Sequence, residues 1–151
     1  MCADITTAEA PERKYDLITA FRFFLDAGPP LRVAVIRALA LRLKNARSVL
    51  AFTNHGNPFS YKAIAWPYHQ MRRRGRDRPI VGNYMTHSDV MELLAQANLK
   101  VVEQHGYGFV TPKLFRAAPT MAAKLERSCA RRRFLNKFGV NKLYMVARAD
   151  G

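Results

Sequence analysis

Residues 14–57, KYDLITAFRFFLDAGPPLRVAVIRALALRLKNARSVLAFTNHGN, hold an apolar strand, an amphipathic helix and a second apolar strand in that order. This is one βαβ step, the unit from which α/β domains are built. Over residues 14–21, Tyr15, Leu17, Ile18 and Phe21 with Asp16 at the entry predict a strand buried on both faces. Pro29 and Pro30 can open the helix because its first position needs no N–H donor. Leu31, Val35, Leu39 and Leu43 then fall on one stripe, with Arg32, Arg37, Arg42 and Lys44 on the other side. Residues 48–53, SVLAFT, form the second strand, stopped by Asn54, His55, Gly56, Asn57 and Pro58. Only residues 1–13 precede the first strand, where folds of this kind place a glycine-rich phosphate or cofactor turn, so the unit reads as the second half of a larger arrangement.

Downstream the alternation continues. Residues 59–74 allow a helix that Pro67 must kink or restart, and residues 75–82 form a basic loop. Thr86 and Asp89 fit a capping box ahead of VMELLAQA, and Asn98 suits a left-handed stop before the strand LKVVEQH at 99–105. Residues 119–133 can form a basic helix. Residues 142–149, KLYMVARA, alternate as a last, less buried strand would.

A chain of 151 residues with 49% hydrophobic content can bury one core and is too short for two ordinary domains. No run approaches the roughly 18 apolar residues of a membrane span, and Asp4 and Glu9 do not suit a secretory leader, which leads us to expect a cytoplasmic protein without a membrane span. Cys2 and Cys129 lie near opposite ends without metal or disulfide spacing. The 25 Lys and Arg against 11 Asp and Glu give a formal net charge of +14, concentrated around Arg72–Arg78 and in residues 124–142. Two readings stand: a solvated arginine-rich surface, or an anion-binding one. No GxSxG, GxxxxGK[ST] or HExxH string occurs, so the motif-bearing hydrolases and phosphate-loop nucleotidases are poor readings.

The order of these motifs resembles the C-terminal half of a class I S-adenosylmethionine-dependent methyltransferase. KYDLITAFRFF looks like that family's fourth strand, ARSVLAFTNHGNPFS like its fifth, NYMTHSDVMELLAQANLKVVEQHGYGF like the helix and sixth strand, and NKLYMVARA like the antiparallel seventh. The resemblance implies a single incomplete domain over residues 1–151. It implies a partial Rossmann-like sheet, mostly parallel with an antiparallel last strand, and helices on both faces. The family's glycine-rich turn and the acidic residue that follows it are missing, because Gly28, the first glycine, already lies beyond the fourth strand. A first strand without its inner neighbour would be an exposed edge, open to a second copy or to a complementing N-terminal half.

The implied activity is methyl transfer from S-adenosylmethionine to a small-molecule acceptor. By the same resemblance, Asp4 and Ile5 contact the adenine, while Ala20, Phe21 and Arg22 lie beside the cofactor's methionine portion at the carboxyl end of a strand. Transfer from a sulfonium needs an in-line approach, and a base only when the acceptor loses a proton. His55, following the second strand, is the candidate base, since imidazole exchanges protons near neutrality. Asn54, Tyr84 and His87 are candidates for lining the acceptor pocket, whereas His69 and His105 show no evident partner. The rival reading is a nucleic-acid or anionic-surface binding module, in which the arginine clusters hold phosphates and Trp66, Tyr68 and Phe134 stack on bases.

Overall fold

The computed structural model describes residue 6, residues 13–55, 57, 60 and 85–149. In chain order these form β1 (Leu17–Ala20), α1 (Phe23–Asp26), α2 (Pro29–Leu41) and β2 (Val49–His55), followed by α3 (His87–Ala95) and β3 (Leu99–Tyr107). Then come α4 (Pro112–Ala117), α5 (Pro119–Ala130), a 3-10 helix (Arg133–Phe138) and β4 (Asn141–Arg148). The four strands make one sheet in the order β1-β2-β4-β3. β1 pairs parallel with β2, and β4 pairs antiparallel with both β2 and β3. Three strands therefore run one way and β4 alone runs back, as a partial Rossmann-like sheet flanked by helices requires.

The expected kinked helix at 59–74 and basic loop at 75–82 lie outside the described residues. Two strands sit differently from their sequence patterns. β1 is an edge strand with β2 as its only neighbour among the described residues, so Leu17 is 60% exposed rather than buried on both sides. β4, expected to be less buried, lies between β2 and β3, with Tyr144 and Val146 fully buried. Alternation at the chain's end reads as a margin, but the insertion of β4 between two earlier strands is a tertiary fact.

Of the stripe expected along α2 and just past it, Val35, Leu39 and Leu43 are buried, and only the first turn departs. Leu31 is 46% exposed and Arg32 only 7%, and the buried positions are Arg32, Val35, Ile36, Leu39 and Ala40. That set keeps helical spacing and widens the stripe to take in Arg32, Ile36 and Ala40. The arginine is accommodated because its Nε donates to the Phe24 carbonyl at 3.1 Å. Burial holds its guanidinium below the ordinary value, with Asp89 opposing the shift.

Other local expectations hold. Thr86 and Asp89 form the capping box of α3, and Asn98 adopts φ 54° before β3. The helix expected over 119–133 ends at Ala130, and a separate 3-10 turn follows. That turn lies against β3, where a Cβ on Gly106 would come within 2.2 Å of the Asn136 carbonyl oxygen. Only glycine permits that approach.

The core fills one side of the sheet, against α2 and α3. Its spine is aromatic. The Phe24 and Phe52 rings meet at 5.0 Å and 61°, and Phe52 stacks on Tyr144 at 5.3 Å and 15°. Offset and edge contacts of this kind add to the area the rings bury.

Candidate functional site

The carboxyl ends of β1 and β2 lie side by side, Ala20 opposite Phe52, and this is the edge at which open α/β sheets bind ligands. Arg22 leaves β1 with φ 63°, a conformation that costs a non-glycine residue on the order of 1 kcal/mol or more. It is held there by a hydrogen bond from its backbone N–H to Thr53 Oγ1 at 2.9 Å. Phe21 stands 59% exposed at the same rim.

Thr53 and His55 occupy one face of β2, two residues apart. Thr53 Oγ1 lies 3.4 Å from His55 Nε2, and His55 Nδ1 lies 2.7 Å from Asn141 Oδ1 on the adjoining strand. An amide oxygen only accepts, so Nδ1 carries the proton in that contact and the neutral ring bears its lone pair on Nε2. Tyr107, at the end of β3 and also paired with Asn141, hydrogen-bonds to Thr53. Burial raises its phenol pKa, while the Thr53 bond and the field of Arg22 oppose the rise. Arg22, Thr53, His55, Tyr107 and Asn141 thus form a polar row across all four strand ends.

His55 is the last residue of β2 and not part of the following turn, because the strand runs two residues beyond its expected end at Thr53. That extension fixes the ring's direction. Asn54 points to the opposite face, where its Nδ2 donates to the Met85 carbonyl at 2.8 Å. His87 lies on that face too, with Nδ1 3.1 Å from the hydroxyl of Tyr144. The acceptor-lining pair Asn54 and His87 is therefore separated from His55 by the sheet. Asp4, Ile5 and Tyr84 lie outside the described residues, as do Cys2, His69, Trp66 and Tyr68. His105, read as lacking a partner, has Nε2 2.8 Å from Glu103 Oε1.

Thr53, Tyr107, Asn141 and Lys142 escaped the sequence reading. Thr53 was legible from its two-residue spacing to His55, but the other three required the order of the strands. Lys142 is buried on the core face, which lowers its pKa. It also lowers that of His87, after the larger effect of burial. Burial of Tyr144 pushes its phenol up to about 12, so it stays a hydroxyl in its contact with His87.

A pH test follows for His87. Its folded pKa lies below the ordinary 6.5, so between the two values the unfolded chain binds more protons. Stability is therefore expected to decline as pH falls through 6.5 towards the lowered value. Urea midpoints between about pH 5 and 7 should show a shallower decline in His87→Asn than in the parent. Identical slopes would assign the effect elsewhere.

No protein-family model matches the chain, and no curated protein matches it significantly. Solved structures do match. Magnesium protoporphyrin IX methyltransferase from Synechocystis PCC 6803, with bound SAH, superposes at a TM-score of 0.56 and 12% identity over 98% of this chain and 49% of its own. A SAM-dependent methyltransferase from Methanosarcina mazei gives 0.59 at 11% identity over 97% and 65%. The fold is the one these methyltransferases have over the part that the chain covers. The methyltransferase-like fold does not by itself fix the reaction: the [4+2]-cyclase SpnF shares it at a TM-score of 0.54 and 16% identity, over 98% of this chain and 54% of its own. The chain spans about half the length or less of several methyltransferases it matches. Among the described residues, no helix is long and apolar enough to cross a membrane, and no three His, Cys, Asp or Glu side chains gather as a metal site.

Proposed function

We propose that the chain forms part of an S-adenosylmethionine-dependent methyltransferase that acts on a small acceptor whose reacting group loses a proton. The observation carrying this reading is the row Arg22–Thr53–His55–Asn141, at the carboxyl ends of β1 and β2 and the adjoining start of β4, in a fold shared with methyltransferases. Ala20, Phe21 and Arg22 would hold the methionine end of the cofactor. The exposed Phe21 ring offers a π face suited to a sulfonium, and the Arg22 guanidinium suits a carboxylate. Asp4 and Ile5 would meet the adenine. Bound S-adenosylmethionine supplies an electrophilic methyl group.

His55 would take the acceptor's proton on Nε2 and keep Nδ1–H on Asn141 Oδ1, a bond that both charge states of the ring can make. Tyr84 would line the acceptor side, whereas Asn54 and His87, on the other face of the sheet, would not. The edge of β1, with Leu17 exposed on it, would be completed by further strands, from a second copy or a complementing N-terminal half.

Titration with S-adenosylhomocysteine tests the reading. The protein, in the oligomeric form it adopts in solution, should bind it saturably. At one hundred times Kd the ligand should add about 2.7 kcal/mol of stability, a Tm rise of several degrees. No heat and no change in Tm at millimolar ligand would overturn the cofactor assignment.

A further inference from the structure

Helix α5 carries a feature that the methyl-transfer reading does not use. Lys124, Arg127, Ser128 and Arg131 follow one another at intervals of three, one and three residues, which aligns them along one face of the helix. With Arg132 they line a shallow groove of about 380 Å³. All five are exposed. Like charges at this spacing repel, which disfavours the bare helix. The helix's one acidic residue does not relieve them: the Glu126 carboxylate accepts from the backbone N–H groups of Gly108, Phe109 and Val110, holding α5 to the loop after β3. Among the described residues no carboxylate lies within ion-pair distance of the four cations. Two residues beyond Arg132 stands Phe134, 65% exposed at the start of the 3-10 helix.

We infer that this groove docks the backbone of a single-stranded nucleic acid, with Phe134 stacking on a base. Charge complementarity selects the partner: four cations in a concave groove match consecutive phosphates. Three of the four are arginines, whose planar forks grip phosphate oxygens in pairs. A neighbouring exposed ring beside such a track is the arrangement that binds unpaired bases irrespective of sequence. The surface is distinct from the polar row around His55 and does not depend on the methyl-transfer reading.

The test is fluorescence anisotropy with a labelled single-stranded 12-mer between 50 and 200 mM salt, conditions over which about four phosphate contacts give a slope of log K against log salt near −3. Affinity should therefore fall about 50-fold across that range. Arg127→Gln with Arg131→Gln should roughly halve the slope. The charge-matched control Arg37→Gln with Arg47→Gln, exposed positions on α2 and the loop after it, should leave the slope unchanged. Phe134→Ala should weaken binding about five-fold or more at constant slope. Equal losses from the two charge pairs would reduce the effect to net charge alone and overturn the groove. An unaltered Kd in Phe134→Ala would overturn the stacking. Binding to anionic phospholipid vesicles with none to the oligonucleotide would overturn the nucleic-acid assignment in favour of a membrane surface. All variants replace exposed side chains, and unchanged thermal melts confirm that each one folds.

Discussion

Phe52→Ala is expected to cost about 3–5 kcal/mol of stability, the range for truncating a fully buried phenylalanine. The ring sits between Phe24 at 5.0 Å and Tyr144 at 5.3 Å, so its removal breaks the aromatic row that joins α1, β2 and β4. The neighbours cannot close the space without moving strands that are hydrogen-bonded on both sides, and the cavity cost therefore adds to the lost transfer energy. Urea denaturation measures it, as a lower midpoint at unchanged m. The exposed Phe134→Ala serves as the contrast and should stay within about 0.5 kcal/mol of the parent. A loss below about 1 kcal/mol in Phe52→Ala would mean that this row is not the core.

His55→Ala is expected to lower kcat by about 100 to 10,000-fold for acceptors that must surrender a proton, such as phenols and alcohols. Acceptors that attack through a free lone pair should lose far less, because positioning supplies their rate. Affinity for S-adenosylhomocysteine should hardly change, since His55 is assigned to the acceptor and not to the cofactor. Labelled S-adenosylmethionine with a panel of phenol, alcohol and amine acceptors reads out both classes. Asn141→Ala, which frees Nδ1 and lets the ring rotate, should produce a smaller fall in the same direction. Equal losses for every acceptor class would make His55 a structural residue of the strand end.

The two predictions differ in how much of their basis the sequence carried. Phe52 was legible as a core residue because SVLAFT is an unbroken apolar run bounded by turn residues. His55 was legible as a residue near a strand end, but its partners were not. Asn141 lies 86 residues away and reaches it only because β4 inserts beside β2. Tyr107 joins the row through the same insertion. The separation of Asn54 and His87 from His55 was readable in principle, since neighbours along a strand face opposite ways, but only once β2 was known to extend through His55.

Local chemistry settled the local elements. The capping box at Thr86, the left-handed Asn98 and the proline-opened helix at Pro29 each involve contacts within a few residues, so a linear pattern holds all the information they need. Arg32 went the other way: expected on the polar side of α2, it is buried, with its Nε donating to the carbonyl of Phe24.

The sequence by itself determined an α/β chain with a parallel βαβ step, the starts of α2 and α3 and its surplus of positive charge, because periodicity and capping act over short distances. Only the tertiary structure decided which strand is central, which face each polar residue occupies and which distant side chains meet His55. Those outcomes depend on strand order, and hydrogen bonds between strands pair residues whose separation along the chain leaves no local trace.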